Sequence, residues 1–127
     1  MAVKYAVIER GNPSDATKPK KIYAQAVYDG ETTLKELATR ASQISTVTYI
    51  DTIAVITALV EVIPNELADG KIIRLGELGS LYISNKSEGS ETAEKVNASN
   101  IKSAKVDFRP GTDFKKLVKT VDWQKAK

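Results

Sequence analysis

The sequence predicts an α+β protein that folds as a single compact domain, with strands towards both ends of the chain and two helices between them. Two patterns predict this class. Apolar and polar residues alternate over residues 21–28 and again in the last third of the chain, which is typical of half-buried strands. Between them, apolar residues recur every three to four positions, which is typical of amphipathic helices. With 127 residues, of which 42% are hydrophobic and 28% charged, the chain can build one modest core.

The first thirty residues are expected to form a β extension of two strands. Residues 3–10 are rich in strand-forming side chains and end at a Gly-Asn-Pro sequence that breaks regular structure. The alternating residues 21–28 form the second strand, which Gly30 ends. Because only a short polar loop separates them, these strands should pair with each other or extend a neighbouring sheet.

A short helix is predicted next. Thr33 and Glu36 have the spacing of a capping box, in which both side chains satisfy free N–H groups at a helix start. The apolar residues that follow keep one stripe as far as Gln43, where this helix should end.

A longer helix is predicted over residues 47–68, capped by Ser45 or Thr46, kinked at Pro64 and ended by Gly70. Its apolar stripe is too wide for one small sheet to cover. The residues that widen this stripe are Val55, Leu59 and Val62. A helix that is apolar on two sides needs two partners, and we expect one of them to be a second copy of the chain.

The remaining residues predict a β-hairpin, a polar arm, a third strand and a final helix. In order, these are a strand at 71–75, a turn at 76–79, a strand at 80–84, an arm without strand pattern at 85–100, and a strand at 101–109. After the break at Pro110, Thr112 or Asp113 should cap the last helix. Trp123, near the end of that helix, is expected to be packed.

Several function classes are disfavoured. The chain contains no cysteine and no histidine, which removes thiolate chemistry, the usual general base and the commonest transition-metal ligand. The longest apolar stretch, residues 53–63, is too short to span a bilayer, and residues 1–8 do not resemble a signal peptide. We therefore expect a cytoplasmic protein that is not an enzyme and needs no cofactor, metal, membrane or small-molecule substrate.

Charge is distributed unevenly along the chain. Residues 31–70 carry two basic and six acidic side chains, whereas residues 101–127 carry eight basic and three acidic ones. A basic C-terminal third beside an acidic middle suggests that one face meets a polyanion. A solvated lysine surface would explain the same pattern.

The order of the predicted elements, together with three sequence segments, resembles the bacterial histone-like HU and integration host factor family. Residues 60–70 look like the end of that family's second helix, and residues 71–81 look like its first hairpin. Residues 108–117, Phe-Arg-Pro-Gly-Thr-Asp-Phe-Lys-Lys-Leu, look like its final junction between strand and helix. The extra N-terminal strands are similar to those of longer HU-related DNA-binding proteins of Bacteroidetes-type bacteria.

The resemblance implies an intertwined homodimer in which helices form a base and two β-hairpin arms embrace double-stranded DNA. It also implies a nucleoid location. Residues 31–127 would form the HU-like DNA-binding domain, and residues 1–30 would be an N-terminal β extension of the same compact unit.

The predicted arm departs from the family pattern. In HU the arm is rich in Arg and Lys and carries a proline that wedges between base pairs. Here residues 84–100 contain two lysines and three glutamates, with no arginine, proline or aromatic residue. Glu77 also replaces the first glycine of the hairpin turn. Kinking of DNA by the arm is therefore not expected.

Most candidate DNA contacts lie on the final strand and helix, with others at the hairpin. The candidates are Arg74, Gly79, Lys86, Lys102, Lys105, Arg109, Lys115, Lys116 and Lys119. The cations would contact phosphate without reading sequence, while Gly79 is expected to serve mainly the turn. Two functions remain open from the residues: a histone-like protein that binds the DNA backbone, or a structural or protein-interaction module on an HU scaffold that has reduced or lost DNA binding.

Overall fold

Three α-helices and two three-stranded sheets make up the described part of the chain, residues 2–11, 14 and 17–126 of a computed structural model. The α+β class predicted from the sequence is confirmed. The elements are β1 (Val3–Arg10), β2 (Lys21–Val27), α1 (Leu34–Gln43), α2 (Tyr49–Ala68), β3 (Ile73–Arg74), β4 (Gly79–Ser87), β5 (Ile101–Pro110), α3 (Thr112–Thr120) and β6 (Trp123–Lys125).

The N-terminal strands form a sheet in the order β2-β1-β6. β1 and β2 pair with each other, which was one of the two arrangements expected, and the pairing is antiparallel, with Tyr5 opposite Ala26. The sequence did not predict β6, which pairs in parallel with β1 and sets Trp123 opposite Val3. Trp123 was expected to be packed near the end of α3, but it stands in this strand with a side chain that is 57% exposed in the single chain.

The first two helices follow the predicted pattern except at the start of α2. The Thr33 Oγ1 accepts a hydrogen bond from the Glu36 N–H at 3.3 Å and caps α1, as expected. The predicted cap of α2 at Ser45 or Thr46 is wrong, because Thr48 accepts from the Asp51 N–H at 3.1 Å and the helix begins at Tyr49. Ser45 instead donates to the Ala41 carbonyl at 2.7 Å and closes the end of α1.

The end of α2 agrees with the sequence. The helix continues through Pro64 to Ala68. Gly70 follows with φ +82°, the left-handed conformation that a glycine adopts without the cost a side chain would bring.

The second sheet has the order β3-β4-β5, and its strand lengths differ from those predicted. β3 has two residues rather than five, whereas β4 extends to Ser87, three residues into the segment expected to lack strand structure. The side chains of this part of β4 are polar and show no alternating apolar pattern, so the sequence did not predict a strand there. The strand forms because its main chain pairs with β5, which does not require apolar side chains. A register shift between Lys86 and Ser87 marks where regular pairing ends, and two short 3₁₀ turns complete the arm.

Two glycines fix the junction between the hairpin turn and α3. Gly79 has φ +139°, and a Cβ there would collide with the Arg109 carbonyl and the Phe108 ring. A Cβ on Gly111 would collide with the Glu77 carbonyl. Gly111 is also the N-cap of α3, so Thr112 lies one position inside the helix rather than capping it.

The single chain leaves most of its apolar side chains uncovered. Of the described residues, only Ala38 and Leu67 are buried apolar side chains. The chain exposes 11,025 Å², whereas a compact protein of 13.8 kDa would expose roughly 6,600 Å². On α2, Ile50 and Val60 are 74% and 69% exposed, and Val55 and Val62, which lie on another side of the helix, are 57% and 51% exposed. The two-sided apolar surface predicted for this helix is therefore present.

Candidate nucleic-acid interface

The β3-β4-β5 sheet gathers basic side chains on one face. Residues directly opposite each other in a sheet point to the same side, and successive residues alternate. Arg74 and Arg109 both lie opposite Ser80, one on each side of β4. The two arginines are therefore close to each other, about 10 Å apart across three strands, although 35 positions separate them in sequence.

The same alternation extends this face along the hairpin. Lys105 lies opposite Ser84, and Lys86 lies opposite Ser103. We call this side of the sheet the cationic face; its basic members are Arg74, Lys86, Lys105 and Arg109. Lys102 lies next to the register shift, where alternation no longer fixes its side.

The other face of the sheet is apolar and supports α3. Leu81 lies opposite both Ile73 and Phe108. Phe108 meets Phe114 of α3 edge to face, with ring centroids 6.3 Å apart. This contact fixes the last helix to the strand that carries Arg109, the neighbour of Phe108 on the cationic face.

Arg109 is held in place by an aromatic ring. Its guanidinium carbon lies 5.3 Å from the centroid of Tyr82, which is within the range of a cation–π contact. Tyr82 is two residues from Ser80 on β4 and so belongs to the same face. The contact orients the guanidinium without neutralising it.

A carboxylate lies among these cations, and the sequence analysis did not single it out. Asp107 sits between Lys105 and Arg109 on the cationic face. Its carboxylate accepts a hydrogen bond from the Ser84 hydroxyl at 2.5 Å and lies 3.4 Å from the Lys105 ammonium. The hydrogen bond from Ser84 holds the pKa of Asp107 below its ordinary value of 3.8; burial opposes this shift, and Lys105 lowers the pKa further. Alternate residues of a strand lie on the same face, so the positions of Lys105, Asp107 and Arg109 in the predicted strand could have placed the carboxylate among the cations.

Ion pairing divides the predicted basic residues into two groups. Lys105 is paired with Asp107, and the Lys102 ammonium lies 3.4 Å from the Glu88 carboxylate. Among the described residues, no carboxylate lies within 4 Å of the charged group of the others. These unpaired cations are Arg74, Lys86, Arg109, Lys115, Lys116 and Lys119.

The three lysines of α3 share one side of that helix. At 100° per residue, Lys115, Lys116 and Lys119 fall within an arc of about 100°. Phe114 and Leu117 lie on the opposite side by the same spacing. The helix therefore contacts the sheet through Phe114 on its apolar side and carries its three lysines on the other side.

Gly79 serves the backbone, as expected. Its positive φ and the close approach of Arg109 and Phe108 leave no room for a side chain. Its contribution to the interface is to set β4 against β5, and thereby Ser80 against Arg109.

The chain is similar to a known protein family and to a solved structure. A family model described as "HU domain fused to wHTH, Ig, or Glycine-rich motif" matches residues 1–125. The chain belongs to this HU-HIG family. The resemblance to HU proteins found in the sequence is thereby confirmed, and the match includes the N-terminal strands of this HU-HIG chain.

The HU-HIG fold also has a solved relative. A crystal structure from Bacteroides vulgatus ATCC 8482, named "Putative bacterial DNA binding protein", is similar with a TM-score of 0.64 and 13% identity. The similarity covers 98% of this chain and 47% of that one, so the HU-HIG chain spans about half the length of the relative. No curated protein matches the chain.

Among the described residues, no group of three or more acidic side chains is arranged to hold a metal ion. No helix in this part of the chain is long and apolar enough to cross a membrane.

Proposed function

We propose that this protein is a histone-like protein that binds the backbone of double-stranded DNA as a homodimer, without strong sequence preference. The observation that carries the proposal is the cationic face, where Arg74, Lys86 and Arg109 have no carboxylate partner within the described residues. Unpaired cations on a sheet can exchange their counterions for phosphates, and this release supplies most of the affinity of sequence-independent binding. HU-type domains are non-enzymatic DNA-binding domains, and the relative from Bacteroides vulgatus carries a DNA-binding name.

The α3 lysines extend this surface. They project from a helix that Phe108 and Phe114 fix to the edge of the sheet. Contacts from lysine to phosphate position a protein on DNA and carry no direct sequence information. Both groups of cations therefore favour a binding mode that depends on charge and salt.

The exposed area supports the homodimer. The single chain exposes about 4,400 Å² more than a compact protein of its mass. Obligate homodimers commonly bury 2,000–5,000 Å² in total, about half of it from each chain, so one such interface would cover about a quarter to a half of the excess. The apolar sides of α2, which include Ile50 and Val60, are the surface that we assign to the second subunit.

We assign only a minor part in DNA binding to the arm beyond Ser87. Glu88 pairs with Lys102, and Glu91 pairs with Lys95 at 3.6 Å. The lysines near its tip are thus already paired with carboxylates of the same arm or its base. This observation favours the second candidate function, a protein-interaction module with reduced DNA affinity, in which the arm meets another partner.

Fluorescence anisotropy on a mixed-sequence duplex, titrated at several salt concentrations, tests the proposal. With about four to six phosphate contacts per dimer, log affinity should fall against log salt with a slope of about −4 to −5. Two duplexes of unrelated sequence but equal length should bind equally. Absence of binding at low salt would favour the interaction module, and a clear preference for one duplex would refute the sequence-independent mode.

A DNA-binding protein of this kind would be located at the nucleoid.

A further inference from the structure

Within the described residues, no strand pairs with the outer edge of the N-terminal sheet. β2 is the first strand in the order β2-β1-β6, so half of its backbone N–H and C=O groups face away from β1. Edge strands are usually blunted by shortness, interior charges, proline or a bulge. β2 has seven residues, a single charge at Lys21, no proline and a regular register with β1.

The side chains of this edge are also apolar and uncovered. Ile22 is 67% exposed and Tyr23 is 46% exposed, and these two residues lie on opposite faces of the strand. Strand pairing would satisfy the backbone groups and would also cover part of both faces. We propose that the β2 edge is a self-association surface, on which β2 of a second copy of this chain pairs antiparallel to form a continuous six-stranded sheet.

Symmetry restricts the register of such a pair. Two identical antiparallel strands in one sheet are related by a two-fold axis perpendicular to it, so one residue must lie opposite its own copy. Ala24 is the midpoint of β2, and only the register centred on Ala24 pairs all seven residues.

That register is complementary in charge and in size. Lys21 lies opposite Val27 of the second copy, so no like charges face each other. Ile22 lies opposite the small Ala26 of the second copy. Ala26 in turn neighbours Tyr5 on β1, and Tyr5, Ala24, Ala26 and Trp123 line an apolar hollow on that face of the sheet. The large exposed Ile22 would therefore lie beside space that the alanines leave open.

This surface is separate from the cationic face and from α2. It does not depend on DNA binding, so failure of the proposed function would leave it standing. With a dimer formed through α2, pairing at β2 would join dimers to each other. Neighbouring proteins on one duplex could then be linked without contacts to specific bases.

Disulfide trapping tests the register directly, because the chain contains no cysteine. In the variant Ala24→Cys the two Cα atoms would be about 4.5–5.5 Å apart across the axis, within the range of a disulfide. In the matched control Ala26→Cys the two Cα atoms would be about 14 Å apart, because residue 26 lies opposite residue 22 of the second copy, four residues away from that copy's own residue 26. We expect mild oxidation of the full chain to cross-link the first variant and not the second. Equal cross-linking of the two, or none in either, would overturn the proposal.

Charge placement gives an independent measurement. Ala24→Lys sets two ammonium groups opposite each other, whereas the control Gln25→Lys sets each one opposite Tyr23 of the second copy. Sedimentation of the first variant should give at most half the mass of the wild type at the same concentration, and the control should keep the wild-type mass. Circular dichroism is the control that both variants remain folded. An unchanged mass for Ala24→Lys would overturn the proposal.

Discussion

Reversing the charge of two lysines on α3 tests the placement of the DNA surface. In the double variant Lys115→Glu and Lys116→Glu, the charged side chains of α3, which also include Asp113 and Lys119, change from a net charge of +2 to −2. The apolar side of the helix, with Phe114 against Phe108, is untouched. We therefore expect the variant to fold and assemble normally while losing affinity for DNA.

The size of the loss follows from the number of phosphate contacts removed. One lost contact per subunit removes two from the dimer, and each contributes about 0.9 to the slope of log affinity against log salt. At about 0.1 M salt, two contacts correspond to nearly two decades in affinity relative to 1 M salt. A tenfold loss, about 1.4 kcal/mol, is thus the minimum expected. The salt slope should also become shallower by about 2.

Fluorescence anisotropy at several salt concentrations measures both quantities. A matched control reverses Lys4 and Lys35, which lie on β1 and α1, and so changes net charge equally without touching the proposed surface. The control should lose much less affinity than the α3 variant. Equal losses in both variants would show that net charge, rather than the α3 side chains, governs binding. Wild-type affinity in a folded α3 variant would refute the placement.

Three further outcomes are expected. Replacing residues 89–99 by a short Gly-Ser turn should change DNA affinity less than twofold in the same assay, because the arm is net acidic and its lysine is paired; a loss above tenfold would show that the arm binds DNA. Asp107→Asn should raise affinity several-fold and steepen the salt slope, because it frees Lys105 for phosphate; an unchanged slope in the folded variant would contradict this. Wild-type protein should sediment at micromolar concentration as a dimer or larger assembly, because several large apolar side chains each contribute roughly 1.5–3 kcal/mol on burial, and Val60→Asp should dissociate the α2 interface. A well-folded 13.8 kDa monomer of the wild type would refute the dimer.

Local patterns in the sequence predicted most of the secondary structure. The period of the apolar residues predicted α1 and α2, and the short loop between β1 and β2 suggested their pairing as one of two arrangements. Errors arose where backbone pairing overrides side-chain pattern. β4 continues into a polar segment as far as Ser87, and β6 forms from residues near Trp123 that show no strand pattern of their own. The end of β4 depends on main-chain pairing with the start of β5, and β6 depends on pairing with β1 at the other end of the chain, so neither strand shows in its own side-chain pattern.

The candidate site divides in a similar way. Composition and the family resemblance predicted which basic residues lie near the hairpin. Which of them lie next to each other depends on how the strands are aligned in the sheet. Arg74 and Arg109 come together only because β3 and β5 both pair with Ser80 on β4. Sequence order gave no reason to separate the paired Lys105 and Lys102 from the unpaired cations.

The sequence by itself determined the class of the fold, the family resemblance and the excess of basic residues in the last third of the chain. These properties depend on periodicity, short motifs and composition, each of which is local. Only the tertiary structure decided that four cations share one face of a sheet, that Asp107 lies among them, and that β2 is left with a free edge. The physical reason is that strand pairing joins residues across long stretches of chain, and the register of that pairing, rather than sequence spacing, decides which charges meet.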